Sequence, residues 1–169
     1  MNYRENKQKA RILYVCQAGL IAALYTVLTV FVGAFGLANG AIQFRISEAL
    51  CVLPFFTPAA VPGLTVGCLL SNLITGCIWQ DVLFGSLATL LGALGARMFK
   101  HYFWLAPLPT VLANTLIVPP VLAYGYGAEE GIPYLMLTVG IGEILSAYVL
   151  GIVLLLALRK YSHKIFRLA

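Results

Sequence analysis

The chain of 169 residues is 61% hydrophobic and only 10% charged, whereas a soluble domain carries about 25% charged residues. With a mean hydropathy of +0.92, most of its surface must face something other than water, and it reads as an all-α integral membrane protein forming a single membrane domain over 1–169. A bilayer core needs about 20 apolar residues per crossing, so the length is expected to be used up by membrane helices and short connections, with no room for a built-in ATPase, a nucleic-acid-binding domain or a soluble enzyme.

The net charge of +5 is read by position, because Lys and Arg beside membrane segments report orientation. Arg4, Lys7, Lys9 and Arg11 precede the first apolar run, Arg159, Lys160, Lys164 and Arg167 follow the last, and Arg97 with Lys100 marks the middle. The positive-inside rule then puts both tails and the 97–101 turn in the cytoplasm, which calls for an even number of crossings. The basic excess reports topology and gives no reason to expect a nucleic-acid partner.

The first run, 12–35, has a basic flank but is far longer than the ~7–15 apolar residues of a signal peptide, so it is expected to stay as a helix. Approximate helices then follow over 46–57, 62–78, 82–99, 102–123 and 134–158. The second is short, but Pro58, Pro62 and Gly63 argue against fusing it with the third. Six helices satisfy the charge rule, and they make 36–45, 79–81 and 124–133 external. Small residues recur four apart: Ala18 with Ala22, Gly19 with Ala23, Gly63 with Gly67, Gly92 with Ala96, and Ala147 with Gly151. Such pairs let helices approach closely in lipid. The four cysteines are scattered through apolar segments without a CxxC pair, so neither a disulfide framework nor a metal site is indicated.

Ionisable residues within a span cost about 2.5–3.5 kcal/mol each, which makes them functional candidates. Glu143 is the clearest, about 14 Å below the outer start of the last helix at 1.5 Å per residue. Such a buried acid must hydrogen-bond, protonate or meet a cation. Asn114 lies at a similar depth and Asn72 somewhat higher, either around an outward-opening polar cavity or in interhelical hydrogen bonds.

The densest polar group outside the tails is the stretch 40–48. Gln43, Arg45 and Ser47 alternate with Ile42, Phe44 and Ile46, the period of an extended segment, before Ser47 and Glu48 read as the cap and first turn of the second helix. The structural alternative is that Arg45 pairs with Glu48. Asp81 is either a helix cap or, with Trp79 and Gln80, part of the outer rim. Arg45 set against Glu48, Asp81 and Glu143 leaves the outer half net acidic, suited to a polar or cationic ligand under an aromatic lid. There is no P-loop, no HExxH and no G-x-S-x-G, so the chain is not read as an enzyme and no cofactor is indicated.

The run Gly40-Ala-Ile-Gln-Phe-Arg-Ile-Ser-Glu-Ala-Leu50, then Leu53-Pro-Phe-Phe56, Pro62-Gly63, Gly67-Cys-Leu-Leu-Ser-Asn72 and Asp81-Val-Leu-Phe-Gly-Ser-Leu-Ala-Thr-Leu90 resembles the QueT family, in order and spacing, over most of 12–158. These are queuosine-precursor substrate-binding (S) components of energy-coupling factor transporters in the bacterial cell membrane. The resemblance implies a six-helix S-component fold with both termini cytoplasmic and an outer-half pocket closed by the loop between helices one and two. It implies a 7-deazaguanine ligand such as 7-aminomethyl-7-deazaguanine. It also implies a transmembrane coupling subunit, which would meet the A-x-x-x-A pair Ala18 and Ala22, and two partner ATPase subunits. For that ligand, Glu143 or Glu48 suits the guanine edge and Asp81 the cation or the rim. Asn72, Asn114, Gln43 and Arg45 suit its orientation, and Phe44 or Trp79 its stacking. The alternatives are an S component for another vitamin or purine-like compound, a stand-alone proton-coupled carrier, and a structural subunit.

Overall fold

The computed structural model describes residues 3–35 and 45–166. Its elements are α1 (Tyr3–Ala34), a 3-10 helix (Ile46–Phe55), α2 (Ala60–Ile74), α3 (Trp79–Met98), α4 (Leu108–Gly125), α5 (Ile132–Glu143), a π-helical turn (Ile144–Leu150), α6 (Gly151–Arg159) and the short α7 (Ser162–Ile165). No strand occurs among the described residues. Among the described residues, four helical stretches are long and apolar enough to cross a membrane: Glu5–Ala34, Trp79–Met98, Leu108–Gly125 and the continuous run Ile132–Arg159. The described residues form the all-helical architecture expected from composition.

Helix boundaries follow proline and glycine chemistry. Pro62 falls in the first turn of α2, where a missing N–H costs no helical bond. That helix ends at Thr75, and the next residue, Gly76, takes a left-handed φ of 74°, a conformation that glycine adopts without a Cβ penalty. Apolar continuity suggests a start for α4 near residue 102, but it begins only at Leu108, with Pro107 and Pro109 setting its first turn and turns filling 103–107.

The stretch expected as a short second helix, 46–57, is a ten-residue 3-10 helix. At about 2.0 Å per residue it extends about 20 Å, where an α-helix of that length would reach about 15 Å. It is the centre of the molecule: Ser47 through Pro54 are buried, and it touches α1, α2, α3, the π turn and α6. Its end is held by Arg97, whose Nη1 donates to the Pro54 carbonyl at 3.2 Å. The charge that marks an inner turn in the sequence is therefore also a structural tie.

Around this axis α1 packs on α2, α2 on α3, α3 on α4 and α4 on α5, and glycines of several small-residue pairs sit at contacts between elements. A Cβ on Gly63 would lie 2.7 Å from the Ala18 carbonyl, and one on Gly67 2.9 Å from that of Ala22. Gly92 backs on Thr110 and Gly151 on Val52. Gly19 alone of these glycines faces open space, and Ala23 beside it is exposed.

Candidate functional site

Between the 3-10 helix, α3, α4 and α5 lies a cavity lined by Arg45, Glu48, Gly85, Thr89, Asn114, Val118, Val139 and Glu143. Each wall follows from the period of its element. Gly85 and Thr89, Asn114 and Val118, and Val139 and Glu143 are four apart on their α-helices and so share a face. Arg45 and Glu48 are three apart, the repeat of a 3-10 helix. Glu48 and Thr89 are 1% exposed, Asn114 4% and Glu143 7%. Arg45 is half-buried at the end of its helix. The free space is about 10 Å³, room for roughly one water molecule.

The two acids differ in how far they are already satisfied. Glu48 accepts hydrogen bonds from the Tyr25 hydroxyl and, at 3.1 Å, from the Cys51 thiol. Glu143 keeps Oε2 buried with no hydrogen-bond partner among the described residues. An unpartnered buried carboxylate oxygen costs more than a hydrogen bond returns, so Glu143 is the acid with capacity left for a ligand. Thr110 and Thr115 on the adjoining α4 also carry buried hydroxyls without partners.

Asn72 and Asp81 form a second group behind Gly85. The Asn72 amide donates to the Asp81 backbone carbonyl at 3.4 Å, and Tyr126 donates to Asp81 Oδ2 at 3.1 Å. A Cβ on Gly85 would stand 3.1 Å from Asn72 Nδ2 and 3.3 Å from Asp81 Oδ1, so this glycine of the cavity wall backs directly on the group. Asp81 is thus not a helix N-cap: α3 starts two residues earlier, with Ile78 at that position, and its carboxylate ties the start of α3 to the end of α4. Burial, reinforced by the Asp81 carboxylate, pushes the Tyr126 phenol above its ordinary value, so it stays a donor at neutral pH.

Of the sequence candidates, Arg45, Glu48, Asn114 and Glu143 come together in one cavity, with Asn72 and Asp81 against its wall. Trp79 is 68% exposed at the start of α3 and does not line it. Gln43 and Phe44 lie outside the described residues. Ser47 does not cap its helix: its hydroxyl accepts from Thr29 at 2.7 Å. Ala22 is buried and Ala18 half-buried under Gly67 and Gly63, so that face of α1 is occupied within the chain.

Sequence reasoning passed over Tyr25, Gly85 and Thr89. Two signals were available. Asp81, Gly85 and Thr89 repeat every four residues, and a tyrosine amid a long apolar helix needs a partner for its hydroxyl.

A family model described as "QueT transporter" matches residues 15–160. The chain is also similar to a protein of Lactococcus lactis subsp. cremoris (strain MG1363) named "Queuosine precursor transporter QueT", with 37% identity over 102 residues, which is 57% of this chain and 60% of that protein. No solved structure gives a significant match. Its apolar helices and the family match make the chain a multi-pass protein of the bacterial cell membrane. The chain belongs to the QueT transporter family.

Proposed function

We propose that the chain is the substrate-binding S component of an energy-coupling factor importer, capturing a queuosine precursor of the 7-deazaguanine class, such as 7-aminomethyl-7-deazaguanine, in the cavity between the 3-10 helix, α3, α4 and α5. The observation that carries the site is the buried, unpartnered Glu143 Oε2 in a cavity that also holds Arg45, Glu48 and Asn114. A guanine edge offers the N1–H and N2–H donor pair that a carboxylate accepts, and its O6 takes a donor from Asn114 or Arg45. The aminomethyl cation is met by Glu48 or, past Gly85, by Asp81.

In this reading the six apolar helical segments, counting the 3-10 helix and α2, all cross the membrane with both tails in the cytoplasm. The coupling subunit, driven by two ATPase subunits, docks on the face of α1 that α2 leaves free. Ala18 and Ala22 are engaged by α2, so the small residues left for that contact are Gly19 and Ala23.

Sites that enclose drug-sized ligands measure about 300–1,000 Å³, far more than the free space here. Binding therefore moves the α4 and α5 walls away from the 3-10 helix. The test is Glu143→Gln, which keeps size and replaces an acceptor oxygen by a donor. It should weaken binding of 7-aminomethyl-7-deazaguanine by about 10–100-fold, the range for a hydrogen bond to a charged group. An unchanged dissociation constant in the folded variant would remove Glu143 from the site.

A further inference from the structure

At the opposite end from the cavity, a groove of about 500 Å³ runs between the first half of α1 and the turn joining the 3-10 helix to α2. Lys7, Arg11, Tyr14 and Gln17 form one side, and Thr57 and Pro58 the other. The groove is anchored where the Thr57 hydroxyl donates to Gln17 Oε1 at 3.0 Å, which leaves the Gln17 NH2 to donate. From Gln17 back to Lys7, α1 continues for about 15 Å along this wall. Its apolar side chains there are uncovered, with Ile12 63% and Val15 67% exposed.

The charge of the groove is one-sided. Lys7 and Arg11 are four apart on the same helical face, an arrangement of like charges that destabilises a helix by about 0.2–0.5 kcal/mol, and among the described residues no Asp or Glu lines the groove. Glu5 does not relieve them: its four-residue partner is Lys9, on the other side of α1. The start of α2 beside Thr57 adds the positive end of a helix dipole. Two cations, an amide donor, an aromatic ring and an apolar floor in sequence match a phosphodiester headgroup followed by an acyl chain.

We propose that this groove is a binding site for one anionic phospholipid, with its phosphate between Lys7 and Arg11, its glycerol ester region against Tyr14 and Gln17, and one acyl chain along Val15 and Pro58. A soluble phosphate compound would satisfy the cations but leave the apolar floor and the exposed side of α1 uncovered. The site is independent of the ligand cavity.

The test is native mass spectrometry of the full chain in detergent, with dioleoylphosphatidylglycerol, dioleoylphosphatidylcholine or glycerol 3-phosphate added in turn. The phosphatidylglycerol adduct should predominate, and Lys7→Gln with Arg11→Gln should weaken it about thirtyfold, at about 1 kcal/mol per basic residue near an anionic surface. Lys9→Gln, which removes the same charge from the other face, should leave it nearly unchanged. Circular dichroism of each variant checks that the helices persist.

Equal retention of the two lipids would overturn the proposal, as would an equal effect of Lys9→Gln, which would mean diffuse charge attraction. Glycerol 3-phosphate binding as well as the lipid would make this a soluble-anion site. Loss of coupling-subunit co-purification in the double variant, with lipid retention unchanged, would make it a protein-docking surface and overturn it too.

Discussion

Glu48 and Glu143 are both acids at the cavity, and their neighbours in the fold separate them. Tyr25 and Cys51 come from residues 23 before and 3 after Glu48, and only the fold brings the tyrosine there. Glu48 is therefore held in the core while Glu143 keeps a free oxygen. Tyr25→Phe should lower stability by about 1–3 kcal/mol, since it strips a buried carboxylate of a donor, and should change ligand affinity less than Glu143→Gln does. Thermal unfolding and ligand titration of the two variants side by side check this split. At the outer rim, Tyr126 donates to Asp81, and its raised pKa fixes the sign of the pH response. The contact contributes fully below the ordinary tyrosine value of 10.0, and stability falls as the pH rises above it, because the unfolded chain loses the proton first. Tyr126→Phe should flatten that alkaline decline in a melting series.

Elements show both the reach of sequence patterns and their limit. Small residues four apart were legible as close-packing positions, and Gly63 and Gly67 do meet α1 with almost no clearance. Which partner they meet was not legible, because spacing along one helix says nothing about what lies opposite. Gly67→Leu should therefore destabilise the fold by about 1–3 kcal/mol through overpacking. Gly19→Leu, with nothing within 4 Å of the added Cβ position, should leave the melting temperature within the scatter of the parent. If the coupling subunit docks on that face, the same Gly19→Leu variant loses co-purification with it while still binding ligand. The short second segment was legible as a misfit, since an α-helix of that length falls short of a ~30 Å core. Its 3-10 geometry was not, because hydrophobic composition is the same for either helix and the tighter winding is chosen by burial against five neighbouring elements.

At the scale of the molecule, composition and the placement of Lys and Arg were enough to read a helical membrane protein, and ordered motifs such as Phe44-Arg-Ile-Ser-Glu48 were enough to suggest its family. The cavity was legible in part. Asn114 and Glu143 stood out as polar residues within apolar spans, Arg45 and Glu48 as part of the polar stretch 40–48, and the fold brings the four together. Thr89 and Tyr25 did not stand out, since threonine and tyrosine are tolerated in membrane helices without a ligand. The narrowness of the cavity has a consequence for the whole molecule. Ligand entry has to separate helices that pack closely without it, so binding should raise hydrogen-exchange protection in α4 and α5 and around the 3-10 helix, and leave the first half of α1 unchanged.

The central claim is that this chain alone binds a 7-deazaguanine through the cavity holding Glu143. The most direct measurement is equilibrium binding of 7-aminomethyl-7-deazaguanine and of guanine to the purified chain in detergent, without partner subunits, followed through the fluorescence of Trp79 and Trp104. Saturable binding of the deazaguanine, with guanine much weaker and Glu143→Gln weakened at least tenfold, is the expected result. A folded chain that binds neither compound, or binds both equally with no effect of Glu143→Gln, would contradict it.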